Sequence, residues 1–174
     1  IPNRLKDGYG PNEEILDQLL NNKIDLLLTL DCGTTAFNII DKEKFIFDTI
    51  VIDHHISDKY LPKVFSIINP NRYDEKNDYK DLAAVGVTFL FILGLRKQLR
   101  INNYFKKNKI LEPNILNYLD LVALGTVCDV VSLQNYNRIL VSKGIEIIHK
   151  RKNKGITAII DNSRINSSPT ASDL

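Results

Sequence analysis

Short apolar runs alternate along this chain with amphipathic stretches. Asn12 stands before Glu13 and Glu14, the pattern of a helix N-cap followed by acids in the first turn. Ile15, Leu16, Leu19 and Leu20 then fall on one helical face. After the polar break Asn21-Asn22-Lys23, the run from Ile24 to Leu30 has the length and composition of a buried parallel strand. It stops at Asp31-Cys32-Gly33, and Thr34 or Thr35 can cap a second helix reaching Ile40. Two further strands are predicted, Thr49 to Ile52 and Phe65 to Ile68; the first ends at Asp53-His54-His55 and the second at Asn69-Pro70. Residues 71–80 are polar and turn-prone. Ala83 to Leu99 reads as a mostly buried helix with a basic end. Pro113 opens another helix that runs into Leu124 and is interrupted by Gly125. Asn137 to His149 is amphipathic, with Ile139, Leu140, Ile145 and Ile148 available to a core.

This alternation predicts an α/β fold, a parallel sheet flanked by helices. One domain is expected over residues 1–161, and the Ser- and Asn-rich stretch 162–174 reads as the start of a linker. In open parallel sheets ligands bind beyond the carboxyl ends of the strands, so the strand-end residues are where chemistry is to be sought.

Composition adjusts this picture only slightly. With 174 residues, 44% apolar and 25% charged, the chain can build one core but not two comfortable ones. A formal charge of +2 does not by itself mark a nucleic-acid binder. The basic residues nonetheless cluster: Arg96, Lys97 and Arg100; Lys106, Lys107 and Lys109; Lys150, Arg151, Lys152 and Lys154. Each cluster reads first as a solvated helix end. There is no signal-peptide pattern, and the longest apolar run, Leu82 to Leu95, is too short to span a bilayer, so a cytoplasmic protein with no membrane partner is expected. Cys32 and Cys128 make no disulfide framework and read as small core filler. His149, among Lys150, Arg151 and Lys152, reads as a solvated helix-end residue.

The chemistry concentrates in three acids set in apolar sequence. Asp31 and Asp53 end predicted strands, and Asp129 sits in Leu124-Gly-Thr-Val-Cys-Asp129-Val-Val. Charges so placed are costly to bury unless paired or bound to a metal. Any one alone reads as a helix cap; the three together, one followed by two histidines, favour a metal site. Carboxylates and imidazole without thiolate suit Mn²⁺ or Mg²⁺ better than a structural zinc. Asp31, His54 and Asp129 are too few ligands for two such ions, each of which wants roughly six. The site therefore holds one metal, or further ligands come from another segment.

The ordered motifs are similar to those of the DHH phosphoesterase superfamily: Leu30-Asp31-Cys32-Gly33, then Asp53-His54-His55, then Gly125-Thr-Val-Cys-Asp129-Val-Val-Ser-Leu133. Within it, Ile1-Pro-Asn-Arg4, Gly8-Tyr-Gly-Pro-Asn12, Asn137-Arg138-Ile-Leu-Val-Ser-Lys-Gly144 and Thr170-Ala-Ser-Asp-Leu174 resemble the RecJ family of single-stranded-DNA-specific exonucleases. Val130-Val131 after Asp129 argues against the oligonucleotide phosphatases and family II pyrophosphatases, which carry Asp-Thr-Gly there.

The resemblance implies Asp31, His54 and Asp129 as metal ligands, with Asp31 bridging two Mn²⁺ or Mg²⁺ ions. Asp53 would orient a ligand from behind, and His55 would contact the scissile phosphate; these two are the implied catalytic pair. It implies hydrolysis of 5′-terminal phosphodiesters, releasing mononucleotides from single-stranded DNA in repair and recombination. Repair or replication proteins such as a helicase and a single-strand-binding protein are the implied partners. Arg4 and Arg138 are candidates to hold phosphates, with an ordinary salt bridge as the equal alternative. The family's Asp-x-Asp motif is expected before Ile1 and its second domain after Leu174, so the chain is expected to be a fragment that is inactive alone. The alternatives are another DHH phosphodiesterase acting on short oligonucleotides or cyclic dinucleotides, and a non-catalytic relative serving as a replication scaffold.

Overall fold

A computed structural model describes residues 3–41, 46–163, 165 and 168–174. Ile1 and Pro2 of the Ile1-Pro-Asn-Arg4 motif, and Arg164, Asn166 and Ser167 of the expected linker, lie outside the described residues. The chain forms two compact units, residues 1–80 and 81–174, each with its own core.

In the first unit two helices lead into a parallel sheet. Helix α1 (Arg4–Asp7) starts at Asn3, whose side chain accepts from the N–H groups of Leu5 and Lys6. Helix α2 (Glu13–Asn21) starts where the sequence predicts, with Asn12 accepting from Ile15 N–H and two acids in the positive first turn. Strands β1 (Leu26–Leu30), β2 (Asp48–Ile52) and β3 (Ser66–Ile68) pair in parallel in the order β1-β2-β3. The core is Leu16, Ile40, Phe47 and Val51, with Leu19, Ile24, Leu27 and Ile67 against it. Burying one such aliphatic side chain contributes on the order of 2 kcal/mol.

Two expectations fail here. Thr34 and Thr35 cap no helix; residues 34–40 form turns. Thr34 is fully buried and its hydroxyl oxygen, the atom a helix cap would use, accepts from Asn69 Nδ2 at 2.9 Å instead. Strand β1 is not buried on both sides either. It is an edge strand, and Leu26, Leu28 and Leu30 are each about half exposed. Alternation explains this: Leu27 and Thr29 face inward, Leu27 against the core, and the residues between them face outward.

The second unit is helical. Helix α3 (Ala84–Ile101) is followed by the short α4 (Tyr104–Lys107), then a 3₁₀ turn Ile115–Tyr118 leading into α5 (Leu119–Cys128). Next come α6 (Asn135–Ile148) and α7 (Lys154–Asn162). Gly125 does not interrupt α5. It sits where a Cβ would come within 2.9 Å of Val85 Cγ1, so glycine serves close helix packing rather than a break. Gly144 of α6 is tighter still, because an added Cβ would collide with the Leu119 carbonyl oxygen and Ala123 Cβ. Neither cysteine is core filler: Cys128 is exposed and Cys32 half-buried. His149 is exposed as expected, with Nε2 2.8 Å from the Pro169 carbonyl. Leu174 packs on the Ala123–Ile148–Ile156–Ile160 cluster, so the described end of the 162–174 stretch is seated on this unit. Among the described residues no helix is long and apolar enough to cross a membrane.

Candidate metal centre

Register places the site. Leu30 pairs with Ile52, and Ile52 with Ile68. The next residue of each strand is Asp31, Asp53 and Asn69, so these three stand in a row at the carboxyl edge of the sheet. The ladder reaches them: Asp31 N–H donates to the Ile52 carbonyl at 3.0 Å, and Asp53 N–H to the Ile68 carbonyl at 3.1 Å.

Their side chains then diverge. Asp31 has φ 62°, a left-handed conformation that Asp tolerates better than most residues. Its carboxylate is more than half exposed. Asp53 is 1% exposed and saturated with donors. Its Oδ1 accepts from His54 N–H at 2.8 Å, from His55 N–H at 3.3 Å and from His55 Nδ1 at 2.7 Å, while Oδ2 accepts from Thr34 N–H at 3.0 Å. Burial pushes the Asp53 carboxyl up, but the hydrogen bonds from His55, Thr34 and His54 together outweigh it and hold its pKa below the usual carboxylate value. An ionised carboxylate only accepts, so the proton at its contact with His55 belongs to Nδ1, and Nε2 is the nitrogen turned towards the cleft.

Asn69 closes the row. It is 4% exposed, and its Nδ2 donates to Thr34 Oγ1 at 2.9 Å and to the His55 carbonyl at 2.8 Å. Its Oδ1 accepts from Asn71 N–H, and Asn71 Nδ2 donates to the His54 carbonyl at 2.6 Å. The two asparagines thus fix both histidine carbonyls. Nothing in the sequence reading singled them out, although the ending of a third strand at Asn69-Pro70-Asn71 was a usable signal.

His54 Nε2 lies 3.4 Å from Asp31 Oδ1, and the rings of His54 and His55 meet edge-on at 4.7 Å. Asp31, His54 and His55 each offer a ligand atom, and these atoms lie within 4.8 Å of one another. This oxygen-and-imidazole set fits a divalent cation such as Mn²⁺. His54 and His55 border an open cleft of about 490 Å³ lined also by Tyr9, Cys32, Thr35, Asp53 and Ile56. Tyr9, absent from the predicted site, donates its hydroxyl to the Asp31 carbonyl at 2.5 Å. Burial, and then the charges of Asp31 and Asp53, push its pKa to about 12. Arg4 lies with its guanidinium carbon 5.2 Å from the centre of the Tyr9 ring.

The other predicted site residues belong to the second unit. Asp129 is exposed at the C-cap of α5, its N–H bonded to the Gly125 carbonyl. Arg138 is exposed on α6 and lines a cleft of about 350 Å³ with Leu133, Val141, Ser142, Ile145 and Ala171. Of the basic clusters, Arg96 and Arg100 pair with Glu112, and Arg151 with Asp161.

Comparison with known proteins places this arrangement among relatives. The chain is 41% identical over 177 aligned residues to the single-stranded-DNA-specific exonuclease RecJ of Salmonella typhimurium, and 39% identical to that of Dickeya dadantii. Both alignments cover 100% of this chain and 31% of the relative, so the chain spans under a third of those proteins. A crystal structure of exonuclease RecJ bound to manganese superposes with a TM-score of 0.78 at 29% identity, over 99% of this chain and 41% of that one. RecJ of Thermus thermophilus in complex with Mn²⁺ gives 0.69 at 28% identity, over 93% and 22%. The family model for the DHH family N-terminal domain matches residues 1–126, a stretch that takes in the row of Asp31, Asp53 and Asn69, and the chain belongs to the DHH family.

Proposed function

We propose that the protein containing this chain is a cytoplasmic, metal-dependent 5′→3′ exonuclease that hydrolyses single-stranded DNA to mononucleotides in DNA repair and recombination. One observation carries the reading: the convergence of Asp31, His54 and His55 at the sheet's carboxyl edge, backed by a buried, ionised Asp53. Similarity to RecJ exonucleases over the whole chain supports it.

Asp31 and His54 would hold Mn²⁺ or Mg²⁺, joined by Asp129 and by carboxylates from another segment to complete two ions. When bound, the ions supply an activated water and neutralise charge on the scissile phosphate. Asp53 holds the His55 ring through Nδ1 and so aims Nε2 at the cleft, where it can meet a phosphate oxygen. The cleft is within the size range of small-molecule sites, and a terminal nucleotide is the proposed occupant. Arg4 and Arg138 are proposed phosphate contacts. Lys150, Lys152 and Lys154 are proposed to line the path of the single strand, and helicases and single-strand-binding proteins are proposed partners.

The test is product analysis with the full-length protein on long 5′-phosphorylated single strands, duplex DNA, dinucleotides and cyclic dinucleotides, with Mn²⁺ and with EDTA. Mononucleotides released from the 5′ end of the long single strand, only with metal, are expected. Preferred cleavage of the dinucleotides would replace this reading by a short-oligonucleotide phosphodiesterase, and no cleavage of any substrate would leave a scaffold.

A further inference from the structure

Tyr9 lines the cleft, yet none of the roles above uses it. Two glycines with positive φ flank it, Gly8 at 78° and Gly10 at 79°, and this backbone turns the ring inward from the end of α1. Its hydroxyl has one hydrogen, and the 2.5 Å contact assigns it to the Asp31 carbonyl. The same oxygen lies 3.3 Å from His55 Nε2, and the two rings are edge-on at 6.0 Å. One side chain therefore touches residues 22 and 46 positions away, at the ends of two different strands.

The Asp31 backbone needs such a support. At φ 62° it has left the strand conformation, and only its N–H continues the ladder, to Ile52. Its carbonyl has turned from the sheet to the Tyr9 hydroxyl, and that same turn sends the carboxylate to His54.

We propose that Tyr9 is a positioning residue of the metal centre: its hydroxyl holds the left-handed Asp31 backbone, so this ligand is arranged before the ion arrives. The inference rests on the metal-site reading above. Groups that orient ligands in this way typically change metal affinity by about 10- to 100-fold when removed.

Tyr9→Phe in the full-length protein isolates the hydroxyl, because it keeps the ring and its contact with Arg4. The half-exposed position makes the substitution safe for folding. Calorimetric Mn²⁺ titration should show affinity lowered about 10-fold or more. Cleavage at limiting Mn²⁺ should slow to match and recover with excess Mn²⁺, while KM for single-stranded DNA stays put. Tyr9→Ala should add little to the loss of metal affinity. Unchanged Mn²⁺ affinity in Tyr9→Phe, or a raised KM confined to Tyr9→Ala, overturns the proposal and makes the ring a surface for a nucleotide base. The wild-type titration separates the two failures: if wild-type protein binds no Mn²⁺, the metal-site reading itself falls.

Discussion

Removing the Asn69 amide tests whether the sheet edge is one connected network. Asn69→Ala deletes three hydrogen bonds, to Thr34 Oγ1, the His55 carbonyl and Asn71 N–H. A hydrogen bond contributes about 1 kcal/mol net, but a buried partner left unpaired costs about 1–3 kcal/mol. The Thr34 side chain keeps a hydrogen bond to Asp53, so the loss at its hydroxyl, like those at the His55 carbonyl and Asn71 N–H, is about 1 kcal/mol. The sum is about 3 kcal/mol, or about two powers of ten in a local opening equilibrium. Hydrogen exchange reads this directly at the Thr34 and His54 amides, both bonded to Asp53. They should exchange on the order of 10²-fold faster or more in the variant. Asn69→Asp keeps the acceptor for Asn71 and removes both donor bonds, so it should lose most of the same protection. The chemical step should slow with it, since the His55 carbonyl is released. Exchange at Thr34 and His54 within about threefold of wild type would refute the network and make Asn69 a simple end to β3.

Other consequences follow from the same geometry. Gly144→Ala forces a methyl against the Leu119 carbonyl and Ala123, and should destabilise the second unit by about 3 kcal/mol or more, read as a lowered thermal midpoint; an unchanged midpoint would show that α5 and α6 can part freely. His54→Ala should weaken Mn²⁺ binding and cleavage together, whereas His55→Ala should keep most metal affinity and lose on the order of 10²-fold in the chemical step; equal loss of metal in both would make His55 a ligand instead. Glu112 is held below the usual glutamate pKa by its hydrogen bonds from Arg100 and by the charges of Arg100 and Arg96. Between the lowered and the ordinary value the unfolded chain binds the extra proton, so this stabilisation is complete above the ordinary value and lost as pH falls through the lowered one. An NMR carboxyl titration should show the depression in wild type and its loss in Arg100→Gln.

Much of the site was legible because parallel strands advertise themselves as short apolar runs, and their ends were Asp31, Asp53 and Asn69. The helices with clear caps were equally legible, as Asn12 shows. What failed was local inference overridden from far away. Thr34 has the sequence setting of a cap, but Asp53 and Asn69 claim its N–H and hydroxyl, and no pattern within a few residues records that. Gly125 reads as a breaker until Val85 is seen against it. Helix α7 is short, and although Asn153 caps it and Ile156 and Ile160 share a face, two buried positions in nine residues make a weak periodic signal.

The division of labour along the sheet edge follows from conformation rather than residue type. Asp31 and Asp53 are the same amino acid, each one place past paired strand residues, Asp31 after the edge strand and Asp53 after the central one. The left-handed turn at Asp31 leaves one carboxylate exposed beside His54, while Asp53 is enclosed by N–H donors from three residues. The exposed acid has coordination sites to offer a metal. The enclosed one has spent its lone pairs, and can only orient what surrounds it. Exchanging their roles would require moving the backbone, not the side chains, which is why substitutions at Tyr9 and Asn69 are the sharper probes of how this centre is built.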